Sequence, residues 1–130
     1  MIDQGGPRRM TVKYIEHVQL AMPAGREGAA RRFFVDLLGF SEVRKPANLA
    51  KRGGRWFESG DARLHLGVQA DFHSATKAHP AFVVGDLDKM RATLSAAGFP
   101  CEDDEPLEGF RRTYVFDPFG NRIELMEPEK

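Results

Sequence analysis

Asp117-Pro118-Phe119-Gly120-Asn121-Arg122-Ile123-Glu124-Leu125-Met126 is the stretch that decides the fold. Its Asp-Pro and Gly-Asn pairs predict a tight turn, and the alternation that follows predicts a half-buried strand. Ile123 and Leu125 then point to one face of this strand and Glu124 to the other. A carboxylate at the centre of a short strand needs solvent, a cationic partner or a metal ion. The position of Glu124 is therefore the first indication of chemistry.

The chain repeats one order of elements: a strand, a helix, a Gly-Phe pair, a second strand and a hairpin. The first half predicts a strand at 12–22, a helix at 26–38, a strand at 40–44 and a hairpin of 55–58 with 62–68. The second half predicts a strand at 79–84, a helix at 87–97 with Asp86 as its N-cap, a short strand at 99–102 and a hairpin of 110–116 with 121–126.

The spacing within the two halves is also the same. Gly39 precedes His65 by 26 residues, and Gly98 precedes Glu124 by 26 residues. In this alignment 63–66 overlays 122–125, and Trp56-Phe57-Glu58 overlays Val115-Phe116-Asp117. The sequence therefore predicts an α+β fold, in which two tandem βαβββ modules form a curved mixed β-sheet with helices on its outer face. The predicted organisation is a flexible leader at 1–11, a first module at 12–70, a connector at 71–78 and a second module at 79–128.

The composition of the chain excludes some classes of binding partner. Nineteen basic and nineteen acidic residues cancel among 130, which gives no electrostatic case for nucleic acid or an anionic membrane. No apolar run approaches the ~20 residues that span a bilayer. The single cysteine, Cys101, excludes an internal disulfide and fits a cytoplasmic protein, and a buried thiol is the expected state of its side chain. A small-molecule ligand is the remaining kind of partner.

Three histidines and one carboxylate fall at equivalent positions of the repeat. His17 and His79 lie on the opening strands, and His65 and Glu124 lie on the closing strands. If the modules pair edge to edge, all four side chains reach one concave face, and this set of ligands suits a divalent Zn, Ni, Co, Mn or Fe ion. His73 has no counterpart in the repeat and is expected to face solvent.

Each of these residues also has a plainer interpretation. A single histidine on a strand is more often a surface residue than a ligand, and Glu124 could pair with Arg122 or Arg111 on a solvated face. Six residues are predicted to rim the cavity and contact substrate: Gln19, Trp56, Phe72, Arg111, Arg112 and Tyr114. The adjacent arginines could hold a carboxylate or phosphate, although alternation along a strand allows only one of them to point inward. Trp56 would equally suit the core.

The sequence resembles the vicinal oxygen chelate superfamily, which includes glyoxalase I, fosfomycin-resistance thiol transferases, epimerases, extradiol dioxygenases and bleomycin-resistance proteins. The motifs that carry the resemblance are Ile15-Glu16-His17-Val18-Gln19-Leu20, Phe33-Phe34-Val35-Asp36-Leu37-Leu38-Gly39-Phe40 and the opening stretch from Asp117 to Leu125. By this resemblance, His17, His79 and Glu124 fall on a triad shared by fosfomycin-resistance and dioxygenase members. His65 falls where glyoxalase I carries a glutamate and epimerases carry a glutamine.

The resemblance implies that a metal captures two adjacent oxygens of a substrate and stabilises developing negative charge. The leading expectation is a metal-dependent lyase or isomerase of the glyoxalase type, in which Glu124 moves a proton, and which assembles as a homodimer. An Fe(II) extradiol-type dioxygenase is the second expectation. The third is a thiol transferase or a non-catalytic protein that binds a small molecule such as an antibiotic.

Overall fold

The computed structural model describes residues 10–130, so most of the predicted leader at 1–11 lies outside the described residues. The strands are β1 (Val18–Met22), β2 (Ser41–Val43), β3 (Arg55–Ser59), β4 (Ala62–Val68), β5 (Ala81–Val83), β6 (Phe110–Phe116) and β7 (Arg122–Pro128). The helices are α1 (Glu27–Arg31), which continues as a π-helical segment (Arg32–Leu37), then α2 (Ala47–Ala50) and α3 (Leu87–Ala96). Within residues 10–130, no helix is long and apolar enough to cross a bilayer.

The strands form two sheets, which we call sheet A, with the order β1-β4-β3-β2, and sheet B, with the order β5-β7-β6. In each sheet the opening strand runs parallel to the closing strand of the hairpin, and the hairpin strands are antiparallel. This is the order that the repeat predicts, and the α+β fold class is confirmed. The strands of the described chain are divided between two sheets instead of being joined in one, because no ladder connects the edge strands β1 and β5.

One apolar core serves both modules. Phe34 of the π-helical segment stacks on Phe57 of β3, and its neighbour Phe33 meets Phe99 of the second module edge-on. Phe40 and Phe82 make a second ring contact between the modules. Since burying one such side chain contributes about 1.5–3 kcal/mol, the Phe33–Phe99 and Phe40–Phe82 contacts hold the two modules against each other.

Alternation along the closing strands separates the core from the polar face. Leu64 and Leu66 of β4 are buried in the core, and His65 between them lies on the opposite face of sheet A. Ile123 and Leu125 of β7 are likewise buried, with Glu124 on the opposite face of sheet B. The predicted ligands on both closing strands therefore lie on the faces turned away from the helices.

The turn between β6 and β7 ties the modules together. The buried Asp117 carboxylate accepts hydrogen bonds from the backbone N–H groups of Phe119 and Asn121, both at 2.9 Å, and from the Asn121 amide at 3.0 Å. The same Asn121 amide donates to the carbonyl of Ala21 on β1 at 2.9 Å, and its oxygen accepts from the N–H of Ala75 in the connector at 3.0 Å. A local turn signal in the sequence thus also fixes long-range contacts.

Several predicted elements differ in extent. The first strand begins at Val18 and not at residue 12, since 10–17 have no strand partner within the described chain and the side chains of Val12, Tyr14 and Ile15 are exposed. The predicted strand at 99–102 is reduced to one bridge between Glu102 and Tyr114. Four consecutive residues after it, Asp103-Asp104-Glu105-Pro106, are charged or lack the N–H that a longer ladder needs.

The register corrects one part of the repeat alignment. Trp56 lies opposite His65, and Tyr114 lies opposite Glu124. Tyr114, and not Val115, is therefore the counterpart of Trp56. The cause is the longer turn of the second hairpin, which takes residues 117–121 where the first takes 60–61.

Candidate metal centre

His17 and His65 form the first half of the predicted ligand set, on sheet A. His17 lies immediately before β1, and its ring stacks on that of His65 with centroids 4.0 Å apart. The other face of His65 stacks on Trp56, with centroids 3.9 Å apart and planes 4° from parallel. Burial, followed by the neighbouring His17, lowers the pKa of His65. The imidazole of His65 is therefore held in its neutral form, which is the form that binds metals.

His79 and Glu124 form the second half, on sheet B. Nδ1 of His79 lies 2.8 Å from the carbonyl oxygen of Lys77, and Nε2 lies 3.0 Å from Oε1 of Glu124. A carbonyl only accepts hydrogen bonds, so Nδ1 donates to Lys77, and Nε2 is the ring nitrogen that faces Glu124. A metal-binding histidine is commonly fixed by a backbone carbonyl in this way.

Arg112 holds the other oxygen of Glu124 and also contacts Tyr114. Nη1 of Arg112 donates to Oε2 of Glu124 at 3.2 Å and to the Tyr114 hydroxyl at 2.6 Å. Arg122 lies over the Tyr114 ring, 3.7 Å from its centroid, and pairs with Asp104. The alternative in which Glu124 pairs with Arg122 or Arg111 is therefore wrong, because the cation that reaches Glu124 belongs to Arg112.

Arg111 points to the opposite face of β6 from Arg112, as alternation requires. Its guanidinium pairs with Asp88 at the start of α3, on the helical side of sheet B. The structure therefore places Arg112 beside a predicted ligand and Arg111 away from it. The two arginines do not form a clamp.

Of the other residues predicted to contact substrate, three lie beside the predicted ligands and one, Phe72, does not. Gln19 and Trp56 flank His65 on β1 and β3, so the three side chains form a row across sheet A. Tyr114, beside Glu124, is their counterpart on sheet B. Phe72 meets Phe119 edge-on and packs against the core. His73 is exposed, as predicted.

The four predicted ligands do not meet within one chain. His17 pairs with His65 and His79 pairs with Glu124, on different sheets. Residues 10–130 contain no group of three or more His, Cys, Asp or Glu side chains in position to share a metal ion. Each pair nevertheless has suitable chemistry, because imidazoles and a cation-oriented carboxylate are what a divalent transition metal binds.

Several groups that lie beside the two pairs could not be identified from the sequence alone. The carboxylate of Glu16 lies 2.9 Å from Nδ1 of His17, and this hydrogen bond lowers the pKa of Glu16. Lys45 and Arg52 line a cavity of about 220 Å³ next to Trp56 and Gln19. The only feature of the sequence that points to the two cations is the basic composition of residues 44–55, which contain Arg44, Lys45, Lys51, Arg52 and Arg55.

A tandem pair of βαβββ modules with polar groups at matching places on each sheet defines the glyoxalase/dioxygenase-like class of folds. The model of the Glyoxalase/Bleomycin resistance protein/Dioxygenase superfamily matches residues 14–125. The chain belongs to this superfamily.

Solved structures agree with this assignment. The chain is 43% identical to a putative glyoxalase family protein from Bacillus anthracis, with 94% of this chain and 100% of that chain covered and a TM-score of 0.88. It is 24% identical to a glyoxalase family protein from Enterococcus faecalis, with 88% and 98% covered and a TM-score of 0.65. The fold is also that of the fosfomycin resistance protein FosX from Listeria monocytogenes, at 15% identity, 92% and 96% coverage and a TM-score of 0.71. No curated protein matches the sequence.

Proposed function

We propose that the protein is a divalent-metal lyase or isomerase of the glyoxalase type, which acts on a small oxygenated substrate, and that two copies of the chain complete each metal site. One observation carries the proposal. The pairs His17–His65 and His79–Glu124 occupy equivalent places on two sheets, beside edge strands that have no partner on their outer side within residues 10–130. Each pair supplies half of a ligand set, and a second copy supplies the complementary half.

Exposed apolar side chains support such a dimer. Val12, Tyr14 and Ile15 precede β1 and are 93%, 74% and 77% exposed, and Val83 on β5 is 65% exposed. An unpaired strand edge beside exposed apolar residues favours association with another strand. Joining β1 of one chain to β5 of the other would bring His17 and His65 next to His79 and Glu124 of the partner subunit.

The residues around Glu124 have distinct roles in this proposal. The ion, when bound, supplies a Lewis acid for the adjacent oxygens of the substrate. Glu124 accepts a proton from substrate through the carboxylate that Arg112 orients, since the guanidinium holds Oε2 in one direction. The Tyr114 hydroxyl accepts a hydrogen bond from Arg112, which leaves its own proton available to a substrate oxygen.

Metal binding tests the proposal directly. Protein stripped with a chelator is dialysed separately against Zn²⁺, Ni²⁺, Co²⁺, Mn²⁺ and Fe²⁺, and the bound metal is measured by elemental analysis. We expect about one ion per chain for the wild type, and a loss of ~100-fold in affinity for His79→Ala, because one ligand and its fixed lone pair are removed. His73→Ala is the matched control, since His73 is an exposed histidine of the connector.

Full retention of metal by His79→Ala would contradict the proposed centre. The loaded protein is then assayed with the hemithioacetal of methylglyoxal, with catechol and O₂, and with fosfomycin and a thiol. Isomerisation of the hemithioacetal supports the proposed reaction. Oxygen uptake with catechol, together with iron as the preferred metal, would assign a dioxygenase instead. Tight binding of a ligand by metal-free protein without turnover would assign a binding protein.

A further inference from the structure

The cavity of about 220 Å³ on sheet A lies beside the His17–His65 pair and is lined by cations. Its polar walls are Lys45, Arg52 and Gln19, and its apolar walls include Trp56, Leu49 and Val68. Trp56 lines the cavity and also stacks on His65. Only the Trp56 ring therefore separates the cavity from a proposed metal ligand.

The cations of this cavity form no ion pair among the described residues, and the Glu27 carboxylate, whose pKa Lys45 helps to lower, is held by the N–H of Gly54. Among residues 10–130, no carboxylate lies within 4.0 Å of the Lys45 ammonium or the Arg52 guanidinium, and none lines the cavity. The arginines elsewhere on the two sheets differ: Arg55 pairs with Glu42, and Arg112 pairs with Glu124. Lys45 is half-buried and donates one of its hydrogen bonds to the carbonyl of Gly53. Two further ammonium hydrogens remain for a ligand.

The segment that carries these cations is anchored at Gly54, by contacts with α1 and with β4. The N–H of Gly54 donates to Oε2 of Glu27 on α1 at 3.0 Å. Gly54 has φ of +81°, and a Cβ at this position would lie 2.0 Å from the carbonyl oxygen of Leu66. The backbone can approach β4 this closely only because residue 54 is glycine. The end of the loop is thereby pinned between α1 and β4, with Arg52 two residues away.

We infer that this cavity is an oxyanion subsite, which binds the carboxylate or the phosphate or phosphonate group of a substrate whose apolar body packs on Trp56 and Leu49. The inference rests on the proposed function, because the same substrate would place its adjacent oxygens at the metal centre. A cavity of this size accommodates a small organic acid and excludes most of a nucleotide. Two cations that form no ion pair, beside an apolar wall, favour an anion over a neutral compound of the same shape.

Trp56 gives a direct readout, because it is the only tryptophan of the chain. Its fluorescence is followed in the full-length, chelator-treated protein during titration with phenylphosphonate and with benzoate. Benzamide is the neutral isostere of benzoate. We expect both anions to bind at least tenfold more tightly than benzamide, and the preference to decline as salt rises. A higher affinity for one of the two anions identifies the charged group.

Substitutions then assign the effect to the two cations. Arg52→Gln should weaken the anions about tenfold and leave benzamide unchanged, since a charge-assisted hydrogen bond is lost. Lys45→Met should do the same, but Arg52 is the preferred position because its side chain is exposed and makes no ion pair with any residue that the structure describes. Lys51→Met is the matched control, an exposed lysine of the same loop that does not line the cavity.

The outcomes separate this inference from the proposed function. Anion preference that depends on Arg52 in protein that never takes up metal supports the subsite and contradicts the metal centre. Normal metal uptake with equal binding of benzoate and benzamide, or with an unchanged preference in Arg52→Gln, overturns the subsite and leaves the metal centre standing.

Discussion

At the residue scale, Arg112 has the most specific contact of the candidate site. It touches one oxygen of Glu124, while Nε2 of His79 faces the other. A buried carboxylate between two such groups is held in one orientation, which is what a metal ligand requires. The guanidinium is therefore expected to set metal affinity without being a ligand.

Replacing this arginine tests its role. Arg112→Gln should lower metal affinity by about 10–100-fold, because Glu124 loses the group that orients it. The measurement is competition with a chromophoric chelator, together with circular dichroism to show that the fold is intact. Arg111→Gln is the control from the adjacent position, where the partner is the exposed Asp88. Equal affinity in the two variants would contradict the role given to Arg112.

Some single residues could be predicted from the sequence and others could not. His65 and Glu124 were recognisable because a repeat places them at one spacing, and alternation on a strand fixes the face of each. The choice between Arg111 and Arg112 needed the register of β6, which a single sequence does not specify. Lys45 and Arg52 lie on either side of the short helix α2, in a segment whose path depends on long-range contacts such as that of Gly54 with Glu27.

At the scale of elements, the short turn from Asp117 to Asn121 makes hydrogen bonds both within its own hairpin and to distant parts of the chain. One buried carboxylate accepts three hydrogen bonds, and the asparagine that it fixes also bonds to β1 and to the connector. The turn therefore stabilises its hairpin and the contact between modules together.

Removing the Asp117 carboxylate should lower the free energy of unfolding substantially. Asp117→Ala leaves buried N–H donors without acceptors, and we expect a loss of about 2–4 kcal/mol in the free energy of unfolding. Urea denaturation followed by circular dichroism measures it. Asp61→Ala in the first hairpin turn is the matched control, because Asp61 is exposed, and its cost should stay below ~0.5 kcal/mol. Similar midpoints for the two variants would show that the Asp117 network contributes little.

The hairpins and α3 were the most predictable elements. Their strands alternate clearly, and Asp86 caps α3 by accepting from the N–H of Lys89, as predicted. The first helix was expected as one α-helix, and its second half is π-helical, with Phe33 and Phe34 both buried. Helical periodicity indicates an apolar face, but the exact winding depends on how two adjacent phenylalanines pack into the core.

At the scale of the whole molecule, the sequence predicted two modules and a shared face, and the structure divides that face between two sheets. Local patterns determine which strands form, whereas the partner of an edge strand is decided by long-range packing. The sequence therefore could not say whether the four predicted ligands meet within a chain or between chains.

Complementation between variants distinguishes these arrangements. One variant carries His17→Ala and His65→Ala, and the other carries His79→Ala and Glu124→Ala. In a dimer with shared sites, neither variant binds metal alone, and re-equilibrating an equal mixture restores about a quarter of the wild-type content, because half of the dimers then have one intact site. Elemental analysis after gel filtration measures the recovery.

Sites built within one chain would give no recovery, since every chain lacks two ligands. The first variant mixed with itself is the control for background metal, and wild-type protein taken through the same treatment is the control for handling losses. No recovery in the mixed sample, alongside a normal wild-type result, would contradict the shared site.

The separation of His17 and His65 from His79 and Glu124 has a consequence for how the protein would behave in dilute solution. If each ion bridges two chains, metal uptake and self-association are linked equilibria, and each strengthens the other by the same factor. Specific activity would then fall as the protein is diluted, and a chelator would convert dimers to monomers at concentrations where the loaded protein stays paired. The ion would act as a reversible cross-link as well as a reagent.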